Sequence, residues 1–341
     1  MDSTADHRID LRDYWHPVTL SADVGGKPVP VRLLDDDLVL WRSGGDIVAF
    51  RDFCVHRGTK LSLGWVEDGR IVCPYHGWSY NRDGACARIP AAPPDRAIPA
   101  RARAAALLCS ERYGLVFVCP GEPKRDIHPV PEIADESFRF HLVGPVWWQT
   151  SAERSLENFM DEAHLPWAHP AMLGNRENVP PIRVRDVEEG EGEFYFECRS
   201  EVQNRLDPTK VTLNRLPYRV VLPFTIYHEN IYPNGDRVVD LFFTTPITAT
   251  TCVRYMLVGR NFGLDQPADR LIEFTLKIWE QDRVLIESQR PVALPLDLRE
   301  ELHIRGADAP SVVYRRMMSS YGAGQAGIAK RPTAKGEGVR P

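Results

Sequence analysis

Two groups of residues in this chain have the types and spacing of metal ligands. The first is Cys54-Val55-His56-Arg57-Gly58 followed by Cys73-Pro74-Tyr75-His76-Gly77-Trp78, a C-x-H-x16-C-x2-H pattern. Each short loop offers one thiolate and one imidazole, so two loops can grip one centre from two sides. Two chemistries fit: a tetrahedral structural zinc, or a [2Fe–2S] centre with two cysteines on one iron and two histidines on the other. Zinc sites usually pair like with like, whereas each loop here mixes the types. The single residue between Cys54 and His56 is tight for one tetrahedral ion and suits a two-iron rhomb served by both loops. Gly58 and Gly77 let the backbone approach a buried centre closely, and N–H groups there can tune the sulfurs.

The second group starts with Asn158, Asp161 and His164, spaced by three in a segment that reads as helical over 153–164. Such spacing drifts slowly along one helix face. Pro166 then disturbs the helix and lets His169 swing back toward His164. A polar row on an otherwise apolar segment (Leu156, Phe159, Met160, Ala163, Leu165, Trp167) points to function rather than to two satisfied core histidines. A catalytic non-haem iron needs two histidines and one carboxylate on one face, with the opposite face open. Asp282 is the expected carboxylate. It falls on the apolar stripe Leu271, Thr275, Ile278, Trp279, Leu285 and Ile286 of a long helix over 268–290, ended by Pro291. Glu273, Glu280 and Glu287 recur on another, solvated face. An acid on a core-facing stripe is costly unless paired or metal-bound; the competing expectation is a salt bridge with an arginine or lysine.

The elements around these groups fall into two parts. Residues 31–120 read as short strands and turns, with runs at 38–42, 47–53, 70–73, 78–80 and 115–118. Turn signals at 43–46, 67–69 and 81–84 separate them, which argues a small, mostly antiparallel β domain. Both Cys/His loops follow expected strands and so stand on rigid supports. Residues 120–132 are rich in proline and charge, and the domain boundary is placed near 124. Strands are expected at 193–203, 219–232, 237–247 and 251–260, with a hairpin turn at Asn234-Gly235-Asp236 and a short helix at 311–320. Strands flanked by helices without βαβ alternation indicate an α+β class. The expected organisation is 1–124, 125–321 and a disordered tail at 322–341.

At these residues the chain resembles the Rieske-type non-haem iron oxygenases, the ring-hydroxylating α-subunit family. CVHRG and CPYHGW are similar to the two ligand loops of Rieske domains, and Asn158, Asp161, His164 and His169 match the family's N-x-x-D-x-x-H-x4-H iron motif without a gap. Asp282 in WEQDRVLIESQ corresponds to the family's late aspartate ligand. The resemblance extends from Tyr14-Trp15-His16-Pro17 to about Ser320, and its late region looks more like the homotrimeric vanillate demethylase group than the αβ dioxygenases. It implies one [2Fe–2S] cluster and one Fe(II) per chain. The cluster then feeds electrons to an iron that activates O2 beside a small, mostly apolar or aromatic substrate. It also implies a head-to-tail trimer in which Asp161 links His164 to a cluster histidine, His76, of the neighbour. The expected outcome is hydroxylation, or hydroxylation followed by demethylation. Alternatives are cis-dihydroxylation and, in another class, a Rieske electron carrier. Residues 156–173, 200–232 and the helix before Asp282 should line the pocket, with Leu165, Met172, Tyr227 and Trp279 among them.

Composition fits and narrows this. The chain has 341 residues, about two domains at ~150 residues each. Its net charge of −5 and lack of a basic block in the folded part argue against nucleic acid. No apolar run approaches the ~20 residues that span a bilayer, and the polar first ten residues are unlike a signal peptide, so a cytoplasmic protein is expected. Seven scattered cysteines do not make a disulfide framework; Cys86, Cys109, Cys119, Cys198 and Cys252 read as buried small residues. No flavin, nicotinamide or plant-type ferredoxin signature is present. Gly322-Ala323-Gly324-Gln325-Ala326-Gly327 matches G-x-G-x-x-G but follows no strand. A separate NAD(P)H-dependent reductase, with or without a ferredoxin, is therefore an expected partner.

Overall fold

The computed structural model describes residues 10–170, 172–177, 179, 182, 184–203 and 211–320; the expected tail from 322 lies outside the described residues. The first part begins with β1 (His16–Leu20), β2 (Val29–Leu33), β3 (Asp36–Ser43) and β4 (Asp46–Arg51). It continues through β5 (Trp65–Glu67), β6 (Arg70–Val72), β7 (Ser79–Tyr80) and β8 (Cys86–Arg88) to β9 (Ala106–Arg112) and β10 (Leu115–Cys119). They form an antiparallel six-stranded sheet, ordered β1-β10-β9-β4-β3-β2, and a four-stranded sheet, β5-β6-β7-β8. One apolar cluster joins the sheets: Trp41 and Phe50 meet edge-on with centroids 4.6 Å apart and pack with Leu61, Ile71 and Tyr80. The small sheet is thereby fixed against the large one; the first Cys/His loop follows β4 of the large sheet and the second joins β6 to β7 of the small one.

The second part is one antiparallel sheet ordered β11-β17-β16-β15-β14-β13-β12. Its strands are β11 (Arg139–Trp148), β12 (Arg185–Gly190), β13 (Glu193–Gln203), β14 (Val211–Val221), β15 (Thr225–Ile231), β16 (Arg237–Thr248) and β17 (Thr251–Arg260). The helices are α1 (Ala152–Met160), α2 (Leu165–Ala168), α3 (Ala268–Ile286) and α4 (Ala309–Met318). Every residue of β16 from Val238 to Ile247 is buried, because the sheet is covered on both faces. Successive side chains point to opposite faces, and neighbours Phe242 and Phe243 show it. Phe242 stacks on Phe159 of α1 at 4.4 Å and meets Trp279 of α3 edge-on at 5.9 Å. Phe243 meets Phe117 of β10 at 5.3 Å. Fully burying a phenylalanine contributes about 2–3 kcal/mol, so this pair ties the helical layer to the first sheet.

The α+β expectation holds. Three expectations are corrected. The helix expected over 153–164 ends at Met160, where Asp161 takes an extended conformation as C-cap (φ −86, ψ 112). The break therefore comes before Pro166, and that proline sits in the first turn of a new short helix, where its missing N–H costs nothing. The strand expected over 219–232 is two strands, β14 and β15, separated at Leu222-Pro223-Phe224. Leu285 is not on the core stripe of α3 but half exposed; the buried row is Leu271, Thr275, Trp279, Asp282 and Ile286. Strands β11 and β12 had no counterpart in the sequence reading. Among the described residues, no helix is long and apolar enough to cross a membrane.

Candidate active site

The two Cys/His loops are built alike. Cys54 lies three residues beyond β4 and Cys73 directly follows β6. In each, a glycine N–H returns to the cysteine carbonyl: Gly58 to Cys54 at 2.8 Å and Gly77 to Cys73 at 3.0 Å. Both glycines have positive φ, +73 and +68, a region costly for residues with a Cβ. The tight turns bring His56 and His76 together with ring centroids 4.6 Å apart, and His56 stacks on Trp78. Cys54 and Cys73 are buried, and His76 is exposed.

The donor set suits an iron–sulfur centre. Backbone N–H groups of Tyr75 and His76 point at the Cys73 sulfur, and the Tyr80 hydroxyl lies 3.0 Å from Cys54 Sγ. Burial first, then the neighbouring Cys54, pushes the Cys73 thiol up; metal ligation relieves that by taking the thiolate form outright. Partial burial, then the charges of His76 and Arg57, lower His56 and favour the neutral imidazole that binds metal. Among the described residues, only His164, His169 and Asp282 bring three donor atoms within 4.8 Å of one another. The four Cys/His ligands do not converge as one zinc ion would require.

The second site uses the helix break. Asp161 turns its Oδ1 back to accept from Ala163 N at 2.7 Å, an Asx-type turn. Its Oδ2 stands 3.5 Å from His164 Nδ1. Asp282 comes from α3, and its Oδ1 lies 3.3 Å from His164 Nε2 and 3.0 Å from His169 Nε2. The two imidazole rings are 5.3 Å apart. Among the described residues, no arginine or lysine forms the salt bridge weighed for Asp282; its partners are the two histidines. His169 Nε2 and Asp282 Oδ1 are buried without a hydrogen bond among the described residues. Two imidazole nitrogens and one carboxylate, two of the three atoms otherwise orphaned, fit a non-haem iron(II).

Electrostatics favour a cation at this point. Burial opposes charge on Asp282, but the adjacent rings of His164 and His169 and the field of Arg254 hold its carboxyl well below the usual range. Burial likewise opposes charge on His164, yet Asp161 and Asp282 push it up to about 10. Carboxylates that favour a proton there favour a metal ion equally.

Several participants were not singled out from sequence. Gln281 Oε1 lies 2.9 Å from His169 Nδ1. An amide oxygen only accepts, so Nδ1 carries the proton and Nε2 keeps its lone pair for a metal. Arg254 is fully buried, with its guanidinium 3.9, 4.5 and 4.7 Å from the rings of Trp148, Phe242 and Trp279. Its Nη1 lies 3.5 Å from Asn158 Oδ1. The alternation of β17 marks position 254 as inward-facing, and a charged residue there was the available signal.

His164, His169 and Asp282 lie in the wall of a cavity with about 720 Å³ of unfilled space, mouth included. Asn158, Leu165 and Trp279 line it as well. Tyr227, expected there, faces the opposite side of the sheet, where its hydroxyl donates to Glu132 and its ring stacks on His128. Met172 is not among the lining residues, and part of the expected stretch 200–232, residues 204–210, lies outside the described residues.

The family model of the Rieske [2Fe-2S] domain matches residues 14–106, and that of the Vanillate O-demethylase oxygenase C-terminal domain matches residues 148–323. The chain is 33% identical over 325 residues to methylxanthine N1-demethylase NdmA of Pseudomonas putida, spanning 92% of this chain and 90% of that protein. It is 31% identical over 300 residues to methylxanthine N3-demethylase NdmB of the same species, spanning 83% of each. The structure of Pseudomonas putida CBB5 NdmA with caffeine superposes with a TM-score of 0.79 at 30% identity, over 95% of this chain and 97% of that one.

Proposed function

The chain belongs to the Rieske-type non-haem iron oxygenases, and we propose that its reaction is the oxidative demethylation of a small aromatic or heteroaromatic compound. It is a terminal oxygenase component with a Rieske [2Fe–2S] domain, working on O2 and substrate with electrons from a reductase. In the proposed reaction R–CH3, O2, two electrons and two protons give R–CH2OH and water. Where the methyl is borne by nitrogen or oxygen, the hydroxymethyl group collapses to R–H and formaldehyde. The N-demethylase relatives, which match over most of this chain, support that outcome over ring dihydroxylation.

In this reading Cys54 and Cys73 hold one iron of the cluster and His56 and His76 the other, while His164, His169 and Asp282 hold Fe(II). When bound, the cluster supplies electrons singly and the Fe(II) supplies the activation of O2. Gln281 holds the His169 proton at Nδ1. Asn158 and the apolar walls hold the substrate beside the two imidazoles and keep bulk water away. Asp161, with over a third of its side chain exposed, reaches toward His76 of the next subunit in a head-to-tail homotrimer; the exposure of His76 supports this. A domain boundary near 124, a cytoplasmic setting and an NAD(P)H-dependent reductase, directly or through a ferredoxin, complete the proposal.

The convergence of two imidazoles and one carboxylate in a cavity wall carries the reading. It is tested by iron, zinc and acid-labile sulfide analysis of anaerobically purified protein. About three irons and about two sulfides per chain are expected. Asp282→Ala should retain about two irons and both sulfides and release no formaldehyde. Full activity in that variant refutes the iron assignment, and zinc without sulfide refutes both centres. An electron carrier, the competing reading, would have no use for the triad or its cavity.

A further inference from the structure

Asn158, His164 and Asp282 line two cavities, not one. The second holds about 820 Å³ of unfilled space, mouth included. Its other walls come from α1, the end of α3 and the segment 301–311, with Glu157, Glu301, His303, Asp308 and Ser311 among them. Leu302, 89% exposed, and Leu285, 49% exposed, mark its mouth. Substrate occupies the first cavity in the reading above, which leaves the second without a task.

The two differ in chemistry. Apolar side chains, among them Phe159, Leu216, Ile278 and Trp279, make up much of the first. It also holds the row Tyr218, His228 and Asp240, which stand opposite one another on β14, β15 and β16; there His228 Nδ1 lies 3.3 Å from Asp240 Oδ2. The second cavity is walled by charge. Its two arginines are offset: Arg154 pairs with Glu301 at 2.8 Å, and Arg315 with Glu157 and Glu301 at 2.6 Å each. Asp161, Asp282 and Asp308 remain, and among the described residues no arginine or lysine pairs with any of them. Asp282 Oδ1 is buried without a hydrogen-bond partner among the described residues, as is His303 Nε2 in the same cavity.

We propose that Fe(II) reaches His164, His169 and Asp282 through this second cavity, drawn in by Asp308 and Asp161. The inference rests on the iron assignment above and adds how that site is filled. A dication entering between apolar walls sheds water with little to replace it, and burying an unpaired charge is costly. A cleft lined by one sign of charge gathers the opposite ion and speeds its capture by about 10- to 1,000-fold. Equal shares among the three carboxylates make that about two- to tenfold each. Asp282, 4% exposed, lines both cavities and ends the path. Asp308 bonds no iron ligand; its Oδ2 accepts from Ile304 N at 2.6 Å. An ion passes it both entering and leaving, so its charge changes both rates and leaves the equilibrium nearly alone.

The test follows Fe(II) uptake by full-length protein that keeps its cluster and has been stripped of mononuclear iron by a chelator. Protein and Fe(II) are mixed anaerobically, and the free metal left at each time is read with a chromogenic chelator. Asp308→Asn, which keeps an acceptor for Ile304, is expected to slow uptake by about two- to tenfold at low salt. Ser311→Asp adds a carboxylate to the same wall, in the first turn of α4 where an acid is well tolerated. It is expected to speed uptake by a similar factor, and either variant decides if the other does not fold. Both differences should vanish near 1 M salt, where the screening length is about 3 Å. Affinity at equilibrium should stay within about twofold of the parent, since neither change removes a group bonded to an iron ligand. Parental rates in both variants would overturn the route. So would a rate and an affinity that fall together in Asp308→Asn, or differences that survive high salt, since either means an altered structure. A parent that holds its cluster yet takes up no Fe(II) refutes the iron assignment itself, a result distinct from normal uptake in both variants.

Discussion

Replacing Gln281 by leucine should weaken Fe(II) binding without touching a ligand. Its Oε1 lies 2.9 Å from Nδ1 of His169, whose side chain is completely buried. Leucine has a similar volume and no acceptor. The ring then has two choices. It can keep its proton on Nδ1 and bury that donor unpaired, at about 1–3 kcal/mol. Or it can move the proton to Nε2 and donate to Asp282 Oδ1, already 3.0 Å away. The second choice occupies both atoms the metal needs, so binding must reverse it. Either way a penalty of about 1–2 kcal/mol falls on the metal-bound state, a loss of roughly 5- to 30-fold in affinity. That overlaps the range found when outer partners of metal-bound histidines are removed, about 10- to 100-fold. The assay is an anaerobic Fe(II) titration against a competing chelator, with the cluster's visible absorption as internal standard. Gln281→Glu, which keeps an acceptor, should bind at least as tightly as the parent. Affinity of the leucine variant within twofold of the parent would refute the argument.

Tyr80→Phe removes the hydroxyl 3.0 Å from Cys54 Sγ. A hydrogen bond to sulfur favours the electron-richer reduced cluster, so the potential should fall by on the order of 50 mV, worth about 1 kcal/mol; an unchanged potential in a redox titration counts against it. Arg315 is buried and bonds Glu157 through Nε and Nη2 at 2.6 and 2.7 Å, and Glu301 at 2.6 Å. Arg315→Met strands Glu157, while Glu301 keeps its pair with Arg154, and should cost about 3 kcal/mol in a denaturant titration; a loss under 1 kcal/mol would mean the cluster of charges is well solvated. Burial lowers His16 to about 4, against the hydrogen bond to the Leu11 carbonyl. Its neutral form is the folded one, so its contribution is present above pH ~6.5 and lost as pH falls through the folded value. The loss approaches about 3 kcal/mol below pH 4; His16→Gln should flatten stability against pH across that window, and an unaltered slope would contradict it.

The cluster loops were legible in the sequence because each is local: a thiolate, an imidazole and a turn glycine within five residues, next to a strand. The iron site was legible in its ligands but not in its local shape. Asp161 was placed on a helix that ends before it, because its carboxylate prefers the N–H of Ala163 to continued helix. Pro166 was read as a breaker when its own preference for the first helical turn was the better guide. Strand β11 escaped notice since its alternation slips at Gly144-Pro145, where the register shifts between Val143 and Val146. Gln281, Arg254 and the Tyr218–His228–Asp240 row depend on pairing across helices and strands far apart in sequence. Apart from the charge at the inward-facing position 254, nothing in their local spacing distinguishes them from ordinary core polar residues.

The same non-local geometry explains why the iron ligands sit where they do. His164 and His169 come from the break between α1 and α2, and Asp282 from the buried row of α3. A single helix places successive ligands along one line; three ligands that face one point need a second element or a bend. Here both devices are used, and both are anchored on Phe242, which touches Phe159 of α1 and Trp279 of α3. The next residue, Phe243, holds the β10 strand through Phe117. One two-residue step of β16 thus fixes the iron-ligand helices on one face and the cluster-bearing sheets on the other. Close packing transmits small changes in volume, so a change of size at Phe242 or Phe243 bears on the supports of both candidate centres.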